Sequence, residues 1–315
     1  MKAVYIKEFG GLDKLIYSED FPKPVLKEAE VLIRIKAVSV NPVDYKVREG
    51  FLQKRVPTQF PAILGWDLAG IVEEIGFSVS RFKVGDEVYS YARRPTIEHG
   101  TYAEYISIPE SYVALKPKSM TFEEASTIPL VGLTAYQSLK KSNLKAGAVV
   151  LILAATGGVG TLAVQIAKNT GAHVIGLASY QSSAYLKELG TEAELSYDKS
   201  DWVADFNSKY PSKADIVFDC SGGETLQMGL KCVKAGGTLI SITTPPNPEL
   251  TASLNFNYLY HFVEPNATQL SELALLIDSG RLKTTVHKVF PLIDAHKAHE
   301  LIEKRHTQGK IVLSI

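Results

Sequence analysis

From residue 1 to about residue 120, apolar and polar side chains alternate in short runs, the two-residue period of a strand buried on one face. Residues 31–40, VLIRIKAVSV, carry that period most clearly. Glycine and proline break the runs at Gly10, Gly11, Pro22, Pro24, Pro42, Pro57, Pro61, Gly76 and Gly85, as turns do. Val84-Gly85-Asp86 reads as a turn feeding a strand over 87–91. The pattern predicts a β-rich first part, barrel-like or sandwich-like, over 1–122. Beyond it the period changes. Thr121, followed by Glu124 and an apolar run, is a capping box that opens a helix, and 131–141 carries a second helical pattern. From 148, strands and helices take turns: strand 148–154, helix 158–169, strand 173–178, helix 181–189, strand 193–197, helix 201–209, strand 214–220, helix 223–233 and strand 237–243. Strands this apolar, joined by helical crossovers, predict an α/β fold with a doubly wound parallel sheet over 123–264. A tail of helix 268–279, strand 284–290, helix 292–303 and strand 309–314 is expected to return to the first part.

Composition works by exclusion. Lys plus Arg and Asp plus Glu are 34 each, so the chain carries no basic field for nucleic acid or an anionic membrane. No run approaches the roughly 18 apolar residues of a spanning helix. The start, MKAVYIKEFG, lacks the apolar core of a secretory signal. Cys220 and Cys232 cannot build a disulfide framework, so the reducing cytoplasm is the expected location.

Ala154-Ala155-Thr156-Gly157-Gly158-Val159-Gly160 stands between an apolar strand and a helical pattern. Gly157 lets backbone approach a pyrophosphate, and Gly160 lets the helix pack close to the strand. Gly158 and Val159 open a helix whose first N–H groups and dipole favour phosphate. The dinucleotide fingerprint has glycine where Ala155 stands, so this turn is a variant. A ligand-free turn would use similar residues, but strand, helix and second strand all fall where the motif needs them. An NAD-preferring turn places Asp or Glu about 20 residues on, at the end of the second strand. Here 178–183 reads ASYQSS, with no carboxylate to repel a 2′-phosphate. Ser179, Ser182 and Tyr197 offer hydroxyls, so the reading is NADPH rather than NADH. No Arg or Lys lies in that loop to pair with the phosphate.

These elements, with segments 41–50 (NPVDYKVREG), 64–76 (LGWDLAGIVEEIG), 84–91 (VGDEVYSY), 100–105 (GTYAEY), 129–136 (PLVGLTAY), 289–294 (VFPLID) and 309–313 (GKIVL), are together similar to the medium-chain dehydrogenase/reductase superfamily. The likeness is strongest to its quinone oxidoreductase and enone reductase branch. It implies a GroES-like catalytic domain over 1–122, a Rossmann domain over 123–264 and a C-terminal return over 265–315. The alcohol dehydrogenase branch holds catalytic zinc through a Cys, a His-Glu pair and a second Cys. The matching places here hold Asn41, Trp66-Asp67 and Val131, and the four cysteines of a structural zinc lobe around 90–105 are missing. His99 by itself reads as a surface residue. Without thiolate or imidazole ligands no zinc is expected, and without a Lewis acid alcohol oxidation has nothing to lower the hydroxyl pKa. A quinone or conjugated enone instead takes hydride at carbon, leaving a delocalised oxyanion that one hydrogen-bond donor stabilises.

The resemblance puts 41–50 in a cleft between the domains. Asn41 and Asp44 are candidates for orienting substrate or ribose, although Asn-Pro also favours a plain turn. Lys46 is a candidate for the nicotinamide ribose or the developing oxyanion, against a simple solvated lysine. Tyr45 is the weaker proton-donor candidate, against a packed aromatic. Thr134 resembles a nicotinamide contact, against a helix-surface hydroxyl. Cys220, Ile242, Phe262 and Val263, at strand ends, would line the cofactor, and Lys310 would close over it. Nothing near Cys220 activates a thiolate. Two readings stay open: an NADPH-dependent reductase of quinones or enones, with enones and enals favoured, and a non-catalytic NADPH-binding protein with a structural, sensor or partner-binding role. By analogy the chain is expected to form a homodimer through the nucleotide-domain sheet edge near 237–246, with no nucleic-acid or membrane partner.

Overall fold

In the computed structural model, which describes residues 1–199, 201–304 and 308–315, the alternating N-terminal runs fold as β1 (Ala3–Ile6), β2 (Ile16–Ser18), β3 (Glu30–Val40), β4 (Thr58–Ile63), β5 (Asp67–Ile75), β6 (Glu87–Tyr91), β7 (Ile97–His99), β8 (Tyr105–Pro109) and β9 (Val113–Leu115). Helix α1 (Pro42–Arg48) interrupts them after β3. A turn was expected there, but Pro42 at the first helical position and the Asp44 carboxylate on the Asn41 N–H start a helix instead. Helix α2 (Phe122–Ser126) begins at the predicted capping box, with Thr121 and Glu124 each holding the other's N–H. Helix α3 (Pro129–Lys141) follows.

The second set of elements comprises β10 (Val149–Leu153), α4 (Gly158–Asn169), β11 (His173–Ala178), α5 (Ser183–Leu189), β12 (Ala193–Ser196), α6 (Trp202–Lys209), β13 (Ala214–Asp219), α7 (Gly223–Gly229), β14 (Val233–Ser241), α8 (Pro248–Thr251) and β15 (Asn257–Tyr260). The chain ends with α9 (Ala267–Asp278), β16 (Val286–Pro291), α10 (Ala295–Glu303) and β17 (Lys310–Ser314).

Two compact units result, Met1–Leu133 with Glu264–Ile315 and Thr134–Val263. The division falls inside α3, beyond the expected 122/123 boundary, because α2 packs on β3 and β5 of the first unit. In that unit the long strand β3 pairs antiparallel with β5, β8 and the returning β17, which carries β16 at its outer side. A four-stranded sheet of order β2-β1-β4-β7 lies beside it.

The second unit is a six-stranded parallel sheet of order β12-β11-β10-β13-β14-β15. Its direction of progression reverses between β10 and β13, the place where such sheets bind ligands beyond their carboxyl ends. Leu151, Ile175, Trp202, Phe206, Val217 and Leu239 form much of the core on one face. Among the described residues no helix is long and apolar enough to cross a membrane.

Candidate active site

In the nucleotide-type unit, β10 runs into the glycine turn and α4 starts at Gly158 with Gly157 as its N-cap. No side chain caps that end, and the first intrahelical bond is Thr161 N–H to Gly157 carbonyl at 2.8 Å. The N–H groups of Gly158, Val159 and Gly160 therefore precede the helical ladder and point outward with the positive end of the dipole. A Cβ at Gly160 would lie 2.3 Å from the Ala154 carbonyl oxygen, so only glycine lets α4 approach the strand. A Cβ at Gly157 would sit 3.3 Å from the same oxygen. The backbone freedom the fingerprint demands falls one residue earlier than expected, at Ala154 (φ 56°), while Ala155 is buried and bonded to the Leu177 carbonyl at 2.9 Å. This bare, anion-favouring cradle fits a pyrophosphate.

Beyond β11, Ser179 and Ser182 stand with their hydroxyls 3.0 Å apart. The parallel register, Ala178 opposite Ser196, brings the end of β12 alongside. Tyr197 there donates its N–H to the Ala178 carbonyl at 3.2 Å. Asp198 accepts the Tyr180 N–H at 2.9 Å and the Ser196 hydroxyl at 2.7 Å, and these donors hold its carboxyl below the usual range. The cation missing from the 178–183 loop arrives from this neighbouring strand end, where Lys199 Nζ lies 4.8 Å from the centre of the Tyr180 ring. Sequence reasoning went beyond the loop after the second strand only as far as Tyr197 and so passed over both residues.

At the end of β13, buried Asp219 joins two loops. Its Oδ1 accepts the N–H groups of Ser221 (3.0 Å) and Gly222 (2.8 Å), and its Oδ2 accepts the hydroxyls of Ser241 (2.7 Å) and Thr243 (2.8 Å). Ser241 Oγ also accepts the N–H of Thr244 at 3.0 Å. Gly222 (φ 76°) is needed there, since a Cβ would meet Thr243 Oγ1 at 2.9 Å. These bonds fix the strand-end segments that carry Cys220 and Ile242. Burial, and Asp219 beside it, push the Cys220 thiol well above its ordinary pKa, so it is no nucleophile. Phe262 and buried Val263 follow the last strand, and Thr134 is buried on α3, not a surface hydroxyl.

In the β-rich unit the sequence segments 41–50, 64–76, 100–105 and 309–313 converge on one buried polar network. Asn41 Nδ2 donates to Asp67 Oδ2 at 2.8 Å, and Lys310 Nζ donates to Asn41 Oδ1 and to the Val40 carbonyl (3.1 Å). Ser39 (2.7 Å) and the Leu130 N–H at the head of α3 (2.7 Å) complete the donors to Asp67. Both ends of the Asn41 carboxamide are thus occupied. Lys310 is buried here, against the expectation that it closes over a cofactor, because two buried carboxylates need its charge. Burial raises the Asp67 pKa and lowers that of Lys310, and each counters the other's shift.

Asp44 Oδ2 accepts the Asn41 N–H (2.8 Å) and the Tyr102 hydroxyl (2.9 Å), whereas its buried Oδ1 has no partner. Burial pushes its pKa up to about 7, against the pull of those two donors. Arg48, a pure donor, approaches His299 Nδ1 at 3.1 Å, so that nitrogen accepts. The remaining ring proton sits on Nε2, facing Tyr102 Oη at 3.2 Å. The direction of the chain Arg48, His299, Tyr102, Asp44 is therefore fixed. Burial and the guanidinium hold the His299 pKa down to about 3. Arg48 also bonds Glu303 (2.9 Å), Glu49 (2.8 Å) and the Gly10 carbonyl (3.1 Å), tying α1 to α10. Tyr45 and Lys46, on the same helix, are half-buried. Trp66 is buried edge-to-face on Tyr91, with ring centres 6.1 Å apart. His99 ends β7 and is half-exposed beside Glu98. Among the described residues no group of three or more His, Cys, Asp or Glu is arranged to hold a metal ion.

Two family models match parts of the chain. The model for an alcohol dehydrogenase GroES-like domain matches residues 27–118, and that for a zinc-binding dehydrogenase matches residues 189–313. The chain is 33% identical to the NADPH-dependent alkenal/one oxidoreductase, chloroplastic, of Arabidopsis thaliana, over 99% of this chain and 79% of that protein. It is 33% identical to the 2-methylene-furan-3-one reductase of Solanum lycopersicum, with the same coverage of 99% and 79%. The solved quinone oxidoreductase from Coxiella burnetii superposes with a TM-score of 0.90 at 33% identity, covering 100% of this chain and 99% of that one.

Proposed function

Since the chain belongs to the medium-chain dehydrogenase/reductase superfamily, we propose that it is an NADPH-dependent reductase that works without zinc and passes hydride to quinones or α,β-unsaturated carbonyls. The observation that carries the reading is the uncapped glycine turn at the point where the order of the six-stranded sheet reverses. NADPH bound there supplies the hydride. The chain's own residues supply the rest. The N–H groups of Gly158, Val159 and Gly160 hold the pyrophosphate, and Ser179, Ser182 and Tyr197 face the adenosine ribose. Thr134 and the strand ends at Cys220, Ile242, Phe262 and Val263 hold the nicotinamide half. Lys46, with Tyr45 as the weaker candidate, donates to the acceptor oxygen as it gains charge. Asn41, Asp44 and Lys310 are positioning residues that fix α1.

Zinc independence is supported by the side chains themselves. Asn41, Trp66 and Val131 present neither thiolate nor imidazole, and Lys310 already supplies the positive charge beside Asp67. The matched zinc-binding dehydrogenase segment, 189–313, contains none of the three. The free thiols Cys220 and Cys232 suit a reducing compartment, and the cytoplasm is the proposed location. A homodimer is proposed through the open edge at β15, since β14, nearer the expected edge, is covered on both sides.

Mixing the purified chain with NADPH and either phenanthrenequinone or a short-chain enone tests the proposal. Oxidation of NADPH is expected with the enone, undiminished after dialysis against a chelator. Binding with no turnover on any acceptor would move the reading to a non-catalytic NADPH-binding protein. Activity lost on chelation and restored by zinc would remove the metal-free mechanism.

A further inference from the structure

The loop after β11 offers a 2′-phosphate neutral hydroxyls and no charge, which is a weak site for a dianion. The structure brings a charge to it from elsewhere. Register between β11 and β12 sets Ala178 beside Ser196, so the two loops leave the sheet side by side. Asp198 then clamps them: its Oδ1 takes the Tyr180 N–H at 2.9 Å from one loop and the Ser196 hydroxyl at 2.7 Å from the other strand end. With the Tyr180 backbone held, its ring lies under Lys199, whose Nζ is 4.8 Å from the ring centre. At that distance an exposed ammonium is attracted to an aromatic face and spends less of its time extended into water. The lysine is thereby held over the residue that follows Ser179.

We propose that Lys199 is the specificity-determining cation that recognises the 2′-phosphate of the nucleotide, and that Asp198 is a positioning residue for it. The proposal rests on the reading of this unit as an NADPH site and names the residues that separate NADPH from NADH. Asp198 has its own consequence. Its Oδ1 is engaged by the Tyr180 N–H and the Ser196 hydroxyl, so that oxygen is taken up in joining the two loops and not left for a ribose diol as in an NAD-preferring turn.

The test is equilibrium binding to the full-length chain, by calorimetry, of NADPH, NADH, 2′,5′-ADP and 5′-AMP. For Lys199→Ala, a loss of about tenfold is expected for NADPH and 2′,5′-ADP, the worth of one charge-assisted contact. NADH and 5′-AMP should stay within about twofold, and the salt dependence of NADPH binding should become shallower, as loss of one phosphate contact requires. Lys199→Arg, which keeps the charge, should restore discrimination. Asp198→Asn should weaken 2′,5′-ADP while leaving 5′-AMP unchanged, a pattern that general loosening of the fold does not produce. Equal losses for phosphorylated and unphosphorylated ligands, or no loss in Lys199→Ala, would overturn the assignment of Lys199 and leave the cofactor reading standing. Failure of the parent chain to bind either dinucleotide would overturn both.

Discussion

Burying an imidazole against a guanidinium removes its capacity to hold a proton, and burying a carboxyl does the reverse. His299 is held down to about 3 from an ordinary 6.5, and Asp44 is pushed up to about 7 from 3.8. Between about pH 4 and 6.5 the unfolded chain binds one more proton at His299, so that group makes stability rise with pH. Over the same window the folded chain binds one more at Asp44, so that group makes stability fall with pH. Each slope is about 1.4 kcal/mol per pH unit, and the two oppose each other. Denaturant unfolding of His299→Asn should therefore show, relative to the parent, stability that declines from about pH 4 to 6.5, while Asp44→Asn should show stability that climbs. Parallel curves for parent and variants would mean that neither group titrates as the geometry requires. Lys310→Met leaves Asp67 and Asp44 without their counter-charge and should lower stability by roughly 3 kcal/mol or more. Adding Asp67→Asn should recover part of that loss, because the partners couple. Asn41, Asp44, Asp67, Tyr102 and Lys310 were visible in the sequence as members of quoted segments, but their mutual contacts were not. His299 had no signal at all: it sits on an ordinary amphipathic helix and acquires its role only from Arg48, 251 residues away in the chain.

Among elements, legibility followed the strength of the local period. Helix 158–169 and strand 173–178 are found where the pattern put them, because an uninterrupted apolar strand and a glycine turn leave little choice. The segment read as helix 223–233 instead ends at Gly229, passes through a single tight turn and becomes β14 at Val233, four residues before the expected strand. Gly236 (φ 73°) accommodates an irregularity within that strand. Strand β15 went unread because a four-residue edge strand, exposed or half-buried throughout, carries no continuous apolar run. The turn and the strand-end ladder each support a mutation whose effect differs from simple loss of packing. Gly160→Val forces a Cβ to within 2.3 Å of the Ala154 carbonyl and should abolish NADPH binding while destabilising the sheet unit. Asp219→Ala removes the acceptor that joins the 219–222 and 241–244 segments. It should weaken NADPH by about tenfold or more, as for loss of charged hydrogen bonds, yet leave 2′,5′-ADP close to its parent affinity. Equal weakening of both ligands would assign Asp219 to the stability of the sheet and not to the nicotinamide side.

At the scale of the molecule, each unit has its own core and its own tryptophan: Trp66 is buried in the β-rich unit and Trp202 in the sheet unit. The period change near residue 120 announced two folds, and the tail joins the first as expected, but its pairing of β17 with β3 was not legible, since pairing across some 270 residues leaves no local mark. Single-tryptophan chains, made with Trp202→Phe or Trp66→Phe, report the unfolding of each unit by fluorescence. A ligand that binds only the folded sheet unit stabilises it by about 2.7 kcal/mol when present at a hundredfold over its dissociation constant. Saturating NADPH is therefore expected to move the thermal transition seen by Trp202 upward by several degrees, with a smaller shift at Trp66. An equal shift at both would show that the units unfold as one cooperative body, in which case the β-rich unit inherits the ligand's stabilisation. A shift confined to Trp66 would contradict the placement of the nucleotide on the 157–160 turn, because the unit whose unfolding releases the ligand is the unit that must be protected by it.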